Sequence, residues 1–292
     1  SERTARHEIS LAVGVTSQEV GRRPSPESKH RHAIMLTPLR RLRFQPDYYM
    51  SAQFAGVCVA QRLGFYKDRH IGLEVLPTCP PGEEPTLVVA ARVTGEGCIT
   101  VGSCEQNILI PEMRKGLPVV AIAAMFGRSP LALAALPGCS PWSSNSSTPV
   151  RIGAHSDTVE LLARIFPLAE VCSLPREDKL ASLVAGEVDA VQVYDVMETL
   201  ALEERLGMPP STLRLEGHAD TRLGYAQTLF AHSDDVASAE ARELLGDFCA
   251  ATFAGWREAM AAPEYAASVV MDAMASYPPT DHWGDGLPFH AA

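Results

Sequence analysis

No two of the seven cysteines form a C-x-x-C pair, and their number is odd. A disulfide framework and a zinc site of the usual spacing are both disfavoured. Cys58, Cys79, Cys98, Cys104, Cys139, Cys172 and Cys249 stand mostly in apolar surroundings, so they read as small core residues in a reducing compartment. No apolar run approaches the ~20 residues of a membrane-spanning helix, so no transmembrane segment is expected. A positive charge excess is also missing. The net charge of −10 argues against non-specific nucleic-acid binding. Asn145-Ser146-Ser147 fits the glycosylation pattern, a motif frequent by chance.

What is present suffices for a folded body. The chain of 292 residues is 46% hydrophobic and 21% charged, enough for two ordinary lobes around real cores. Its charge is uneven: residues 1–43 carry +5 and the remainder −15. A basic, Ser- and Pro-containing extension over 1–41 therefore precedes an acidic body. The chain opens on Ser1, read as a removed leader or a trimmed start. The extension has too many acids for a clean transit peptide and fits the region just after one. Other protein subunits are expected to hold it and the Pro-, Gly- and aromatic-rich tail over 277–292.

Two stretches repeat one pattern. Ala91–Gly102 reads ARVTGEGCITVG and Ser182–Val193 reads SLVAGEVDAVQV, with Gly95-Glu96 and Gly186-Glu187 at matching places 91 residues apart. A Gly after a helix followed by a short apolar run marks a helix stop and a buried strand. The unit used twice predicts two similar α/β lobes with a ligand cleft between them.

Patterning supplies the remaining elements. Strands are predicted at 42–45, 73–76, 98–102, 118–125 and 131–136, alternating with helices at 55–66, 85–94 and 106–115. Gly138–Pro149 is Ser/Pro/Asn-rich and reads as the crossing between lobes. Beyond it, strands are predicted at 150–154, 171–174 and 190–194. Helices follow at 157–166, with Asp157 as N-cap, at 179–185 and at 196–206. A returning strand over 225–231 precedes closing helices at 237–260 and 263–275. The expected division is lobe 1 over 42–137, lobe 2 over 138–222, and a return to lobe 1 with closing helices over 223–276.

Ordered motifs over roughly residues 42–275 resemble a known family. Phe44-Gln45-Pro46, Gly56-Val57-Cys58-Val59-Ala60-Gln61, Gly64-Phe65-Tyr66-Lys67 and Gly72-Leu73-Glu74-Val75 open the series. Gly116–Ala123, Gly186–Ala190 and Gly255-Trp256-Arg257-Glu258-Ala259 continue it. The chain resembles the NMT1/THI5-like family, which includes binding proteins for thiamine-pyrimidine precursors and a fungal pyrimidine synthase. The resemblance implies a two-lobed α/β fold of the type II periplasmic-binding-protein class. The synthase uses a pyridoxal-phosphate lysine, a histidine and a Cys-rich iron motif. Those positions fall near Cys104, near Ile108 and over Leu223–Phe230, which reads LGYAQTLF. The amine and the iron donors are not supplied. No cofactor, no metal and no catalysis are therefore expected.

Candidate ligand contacts lie where strands of this fold meet their helices. Tyr48, Tyr49 and Phe54 offer rings to a flat ligand, or pack a hinge. Ser103 and Glu105 follow a strand end, where Glu105 takes a ring amine or simply starts a helix. His155 and Ser156 hold the matching place in lobe 2, as ligand donors or as helix caps. Tyr194 and Asp195 end the second repeat, with Asp195 an acceptor for an aminopyrimidine or an N-cap. The leading reading is a non-catalytic accessory subunit of a mitochondrial assembly. The alternative is a periplasmic binding protein for a small heterocycle such as a thiamine pyrimidine precursor.

Overall fold

Two five-stranded sheets organise the described residues of the chain. A computed structural model describes residues 38–80, 82–94, 98–143, 148–156, 158–175, 178–195 and 198–277. The extension before residue 38, Gly95-Glu96, Asn145–Ser147, the Asp157 cap and the tail after 277 lie outside the described residues.

The first sheet contains β1 (Arg40–Gln45), β2 (Ile71–Val75), β3 (Ile99–Cys104), β4 (Val119–Phe126) and β10 (Ala226–His232), in the order β2-β1-β3-β10-β4. Strands β1, β2 and β3 run parallel, and β10 lies antiparallel between β3 and β4. Alternation explains β1: Leu42 and Phe44 are fully buried, while Arg43 between them reaches Glu74 on β2 at 3.2 Å. Helix α1 (Ala55–Leu63) stops at Gly64, whose φ of 82° is left-handed. Helices α2 (Glu84–Thr94) and α3 (Gln106–Arg114) flank β3 in the chain. Helices α7 (Ser233–Ala237), α8 (Ala239–Ala261) and α9 (Pro263–Ser276) follow β10. The core of this half gathers Leu42, Phe44 and Phe54 with Val57, Val59, Phe248 and Val269.

The second sheet contains β5 (Leu131–Ala135), β6 (Arg151–Ala154), β7 (Glu170–Ser173), β8 (Ala190–Tyr194) and β9 (Ser211–Arg214), in the order β7-β6-β8-β5-β9. Helices α4 (Val159–Ile165), α5 (Lys179–Val184) and α6 (Glu198–Leu206) alternate with its strands along the chain. Strand β5 is antiparallel to both β8 and β9, as β10 is to β3 and β4. Each sheet thus follows one plan, in which the antiparallel strand is the first to enter the sheet after the chain crosses between the two. The sequence repeat ends in β3 and β8, the equivalent third strands.

Three expectations need correction. Strand β5, expected in lobe 1, pairs with β8 and β9 in the second sheet. The crossing therefore comes at 127–130, before the Ser/Pro-rich stretch expected to carry it. Strand β9 has no counterpart among the expected elements. Its residues, Ser211–Arg214, alternate half-buried and exposed at a sheet edge, and the run is too short for a periodic signal. The closing helix expected over 237–260 is α8, and the short α7 before it has no counterpart among the expected elements; Ser238 divides the two, its hydroxyl accepting from Ala241 N at 3.4 Å.

Candidate functional site

The carboxyl ends of β1 and β3 bring a polar cluster together. Gln45 closes β1, and its carboxamide donates to the Pro46 carbonyl at 3.1 Å and the Pro77 carbonyl at 2.9 Å. This ties the turn after β1 to the segment after β2. Asp47 follows in that turn. Ser103 Oγ on β3 donates to Asp47 Oδ1 at 2.8 Å, and Gln227 Nε2 on β10 donates to Asp47 Oδ2 at 3.0 Å. Three strands of one sheet therefore fix one carboxylate. Gln227 holds a φ of 52° inside β10, in the left-handed region that non-glycine residues seldom adopt.

Glu84 lies close to this cluster. It is fully buried at the start of α2, and both its oxygens accept from Gly82 N, at 3.2 and 3.1 Å. Burial first, and the Asp47 charge second, push its carboxyl up to about 8. Cys104 is fully buried at the end of β3; burial and the charges of Asp47, Glu84 and Glu105 raise its thiol. Cys58 and Cys79 are pushed up to about 12 and Cys249 to about 11, burial being the leading cause. Such thiols stay protonated and are poor nucleophiles.

The second sheet carries its own cluster at the matching edge. His155 follows β6 and is 6% exposed. Its backbone N donates to Gln192 Oε1 on β8 at 2.9 Å. Lys179, at the start of α5, is fully buried, with Nζ 3.0 Å from His155 Nε2 and 2.7 Å from Glu198 Oε1. A donor on Nε2 requires that nitrogen to be unprotonated. The other Glu198 oxygen accepts from Tyr194 N at 2.8 Å. One buried cation thus links the ends of β6 and β8 to α5 and α6.

The candidates read from sequence distribute unevenly over these clusters. Ser103 and His155 are buried and bonded within them. Tyr194 takes part through its backbone. Glu105 is the N-cap residue of α3, with no side-chain capping bond. Ser156 is exposed beside His155. Tyr48 is half-buried against the first core with its ring tilted 36° against that of Tyr49, centroids 4.1 Å apart, while Tyr49 is 5% exposed. Phe54 is a correction: it is fully buried in the first core, edge-on to Phe44 at 5.7 Å. Asp195 Oδ2 accepts from Arg214 Nε of β9 at 2.5 Å in an ion pair. Sequence reading missed Asp47, Gln227, Lys179 and Glu198. Asp47 adjoins the tyrosines that drew attention, and its place after β1 is a usable signal. Lys179 hides in the charged run Arg176–Lys179, which reads as a solvated face.

Comparison with known proteins bears on the fold. Residues 51–140 match the family model described as NMT1/THI5 like, the family whose motifs the sequence resembles. No curated protein matches the sequence. Among solved structures, the chain is similar to the periplasmic aliphatic sulphonate-binding protein SsuA of Escherichia coli. The TM-score is 0.62 at 16% identity, over 84% of each chain. The alkanesulfonate-binding protein SsuA of Xanthomonas axonopodis pv. citri, bound to MOPS, gives 0.52 at 14% identity, over 83% of this chain and 86% of that one. The fold is that of the type II periplasmic binding proteins. One neighbour is an enzyme: a cysteine-to-serine mutant of the desulfurization enzyme DszB, in complex with biphenyl-2-sulfinic acid, gives 0.51 at 14% identity, over 85% of this chain and 84% of that one. Nothing in the fold or these neighbours supports the mitochondrial location or the accessory-subunit role expected from sequence.

Proposed function

We propose that this chain is a solute-binding protein of the ABC-importer type, which takes up a small molecule between its two lobes without altering it. The observation that carries the reading is the pair of buried polar clusters, one at the carboxyl edge of each sheet. Asp47, Ser103 and Gln227 close the first; His155, Lys179 and Glu198 close the second. Open α/β sheets bind ligands at that edge. The sulfonate-binding neighbours support a binding role and a periplasmic location over a mitochondrial one. A small heterocycle, such as a thiamine pyrimidine precursor, is the proposed ligand type.

The absence of catalysis is part of the proposal. The DszB likeness shows that the fold also serves an enzyme. Against that role here, burial raises the thiols of Cys58, Cys79, Cys98, Cys104 and Cys249. The deciding experiment is a thermal-shift screen of the purified protein against small heterocycles and sulfonates, followed by mass analysis of the incubated compounds. A ligand that binds only the folded state raises the Tm. The proposal expects at least one compound to do so and to be recovered unchanged; a screen with no shift, or a converted compound, overturns it.

A further inference from the structure

The first cluster has an acceptor left over. Asp47 orients the Gln227 carboxamide: a carboxylate only accepts, so the amide nitrogen faces it and Oε1 is turned to another use. Gln227 is 4% exposed, yet Oε1 has no hydrogen-bond partner among the described residues. Buried polar atoms are nearly always satisfied, so an exception in a native fold calls for a cause. Thr228, 6% exposed, has an unpartnered Oγ1 among the described residues, and so does Ser51 Oγ, fully buried after the Asp47 turn. The left-handed backbone at Gln227 adds to this. Such strain persists where the surroundings hold it and clusters at ligand clamps.

Carboxylates stand near these acceptors. Asp47 and Glu105 lie within electrostatic reach of the Cys104 sulfur, on the residue that pairs with Thr228. A sulfonate placed there would meet negative charge and a carboxamide oxygen, neither of which donates. A cationic donor would meet a carboxylate held by two hydrogen bonds and an acceptor that lacks a donor. Charge-assisted hydrogen bonds are the strong ones.

We propose that Asp47 and Gln227, steadied by Ser103, seat the cationic, hydrogen-bond-donating head of a small ligand, an amidinium or a protonated ring amine. This rests on the solute-binding reading and narrows it: the lobe-1 half of the site discriminates against the anionic head groups named for the structural neighbours.

Matched probes test it on the full chain. Benzamidine, benzamide and benzenesulfonate share a ring and differ in the head. Thermal shift and calorimetry at millimolar probe are expected to show benzamidine binding at least tenfold more tightly than benzamide, and benzenesulfonate not at all. Asp47→Asn is expected to abolish the benzamidine preference. Because the comparison among the three probes uses the unsubstituted protein, it stands even if Asp47→Asn fails to fold. Benzenesulfonate binding alone overturns the cationic seat and leaves the solute-binding reading intact. Benzamidine binding that Asp47→Asn leaves unchanged also overturns the seat. Silence from all three, together with a silent heterocycle screen, overturns both.

Discussion

A Cβ atom placed on Gly255 of α8 would lie 2.0 Å from the carbonyl oxygen of Gly56 on α1. The two helices touch backbone to backbone at that point. The same approach holds in the other direction, where a Cβ on Gly56 would meet the Trp256 ring at 2.1 Å. A methyl group has nowhere to go but into backbone, and overpacking a well-filled core costs about 1–3 kcal/mol or more. Gly255→Ala is expected to destabilise by at least the upper part of that range. Chemical denaturation measures it; a loss below about 0.5 kcal/mol would show that α8 slides freely on α1.

Lys179 makes a second test of packing against charge. Its ammonium is fully buried between His155 and Glu198. Removing one partner of a buried pair leaves the other uncompensated and costs about 3–5 kcal/mol. Glu198 is 23% exposed at its side chain, so the lower end applies. Lys179→Met is expected to destabilise by about 3 kcal/mol. The double variant Lys179→Met/Glu198→Gln is expected to recover part of the loss. No recovery in a double-mutant cycle would mean that the cost lies in packing and not in the stranded carboxylate.

Glu84 sets a pH dependence of unusual sign for a carboxylate. Its ordinary value near 4.5 is raised to about 8, chiefly by burial. Between those two values the folded protein keeps a proton that the unfolded chain has lost. Stability from this group is therefore complete below about pH 4.5, falls as pH rises toward 8, and is flat above it. Glu84→Gln keeps an acceptor for Gly82 N and removes the titration. The variant is expected to gain on the parent as pH rises from about 6 to about 8.5, read as Tm by scanning calorimetry. Parallel Tm profiles would refute the assignment.

Thiol accessibility separates the cysteines. Cys139 is exposed, whereas Cys58, Cys79, Cys98 and Cys104 are buried. A disulfide exchange reagent is expected to consume the Cys139 thiol rapidly in the native protein. Cys58, Cys79 and Cys104 are expected to react only after unfolding, which peptide mapping of the labelled protein would establish.

The sequence is legible where the local signal coincides with the tertiary one. The repeated helix-stop-strand unit lands on β3 and β8, the same strand in each sheet. Gly64 ends α1 in the left-handed conformation of a helix stop. What stays hidden depends on partners distant in the chain. Strand β5 carries the five-residue apolar run of a doubly buried strand, and such a run does not say which sheet it joins. The site shows the same limit. Ser103 and His155 sit at strand ends and follow from that rule, but Gln227 reaches Asp47 across 180 positions. Phe54 misleads because an aromatic near a strand end serves a core as readily as a ligand.

The late return of β10 to the first sheet has a consequence for synthesis. The first sheet keeps β4 only through β10, because β4 pairs with no other strand in it. Residues 51–140, the stretch that matches the family, therefore hold β2, β3 and β4 without the two strands that join them, and β5 of the other sheet. As the chain leaves the ribosome, β4 waits until His232 has emerged before it finds its neighbour. That closure spans about a hundred residues, a long loop for any folding step. The stretch that matches the family model and the stretch that completes the first sheet are different parts of this polypeptide.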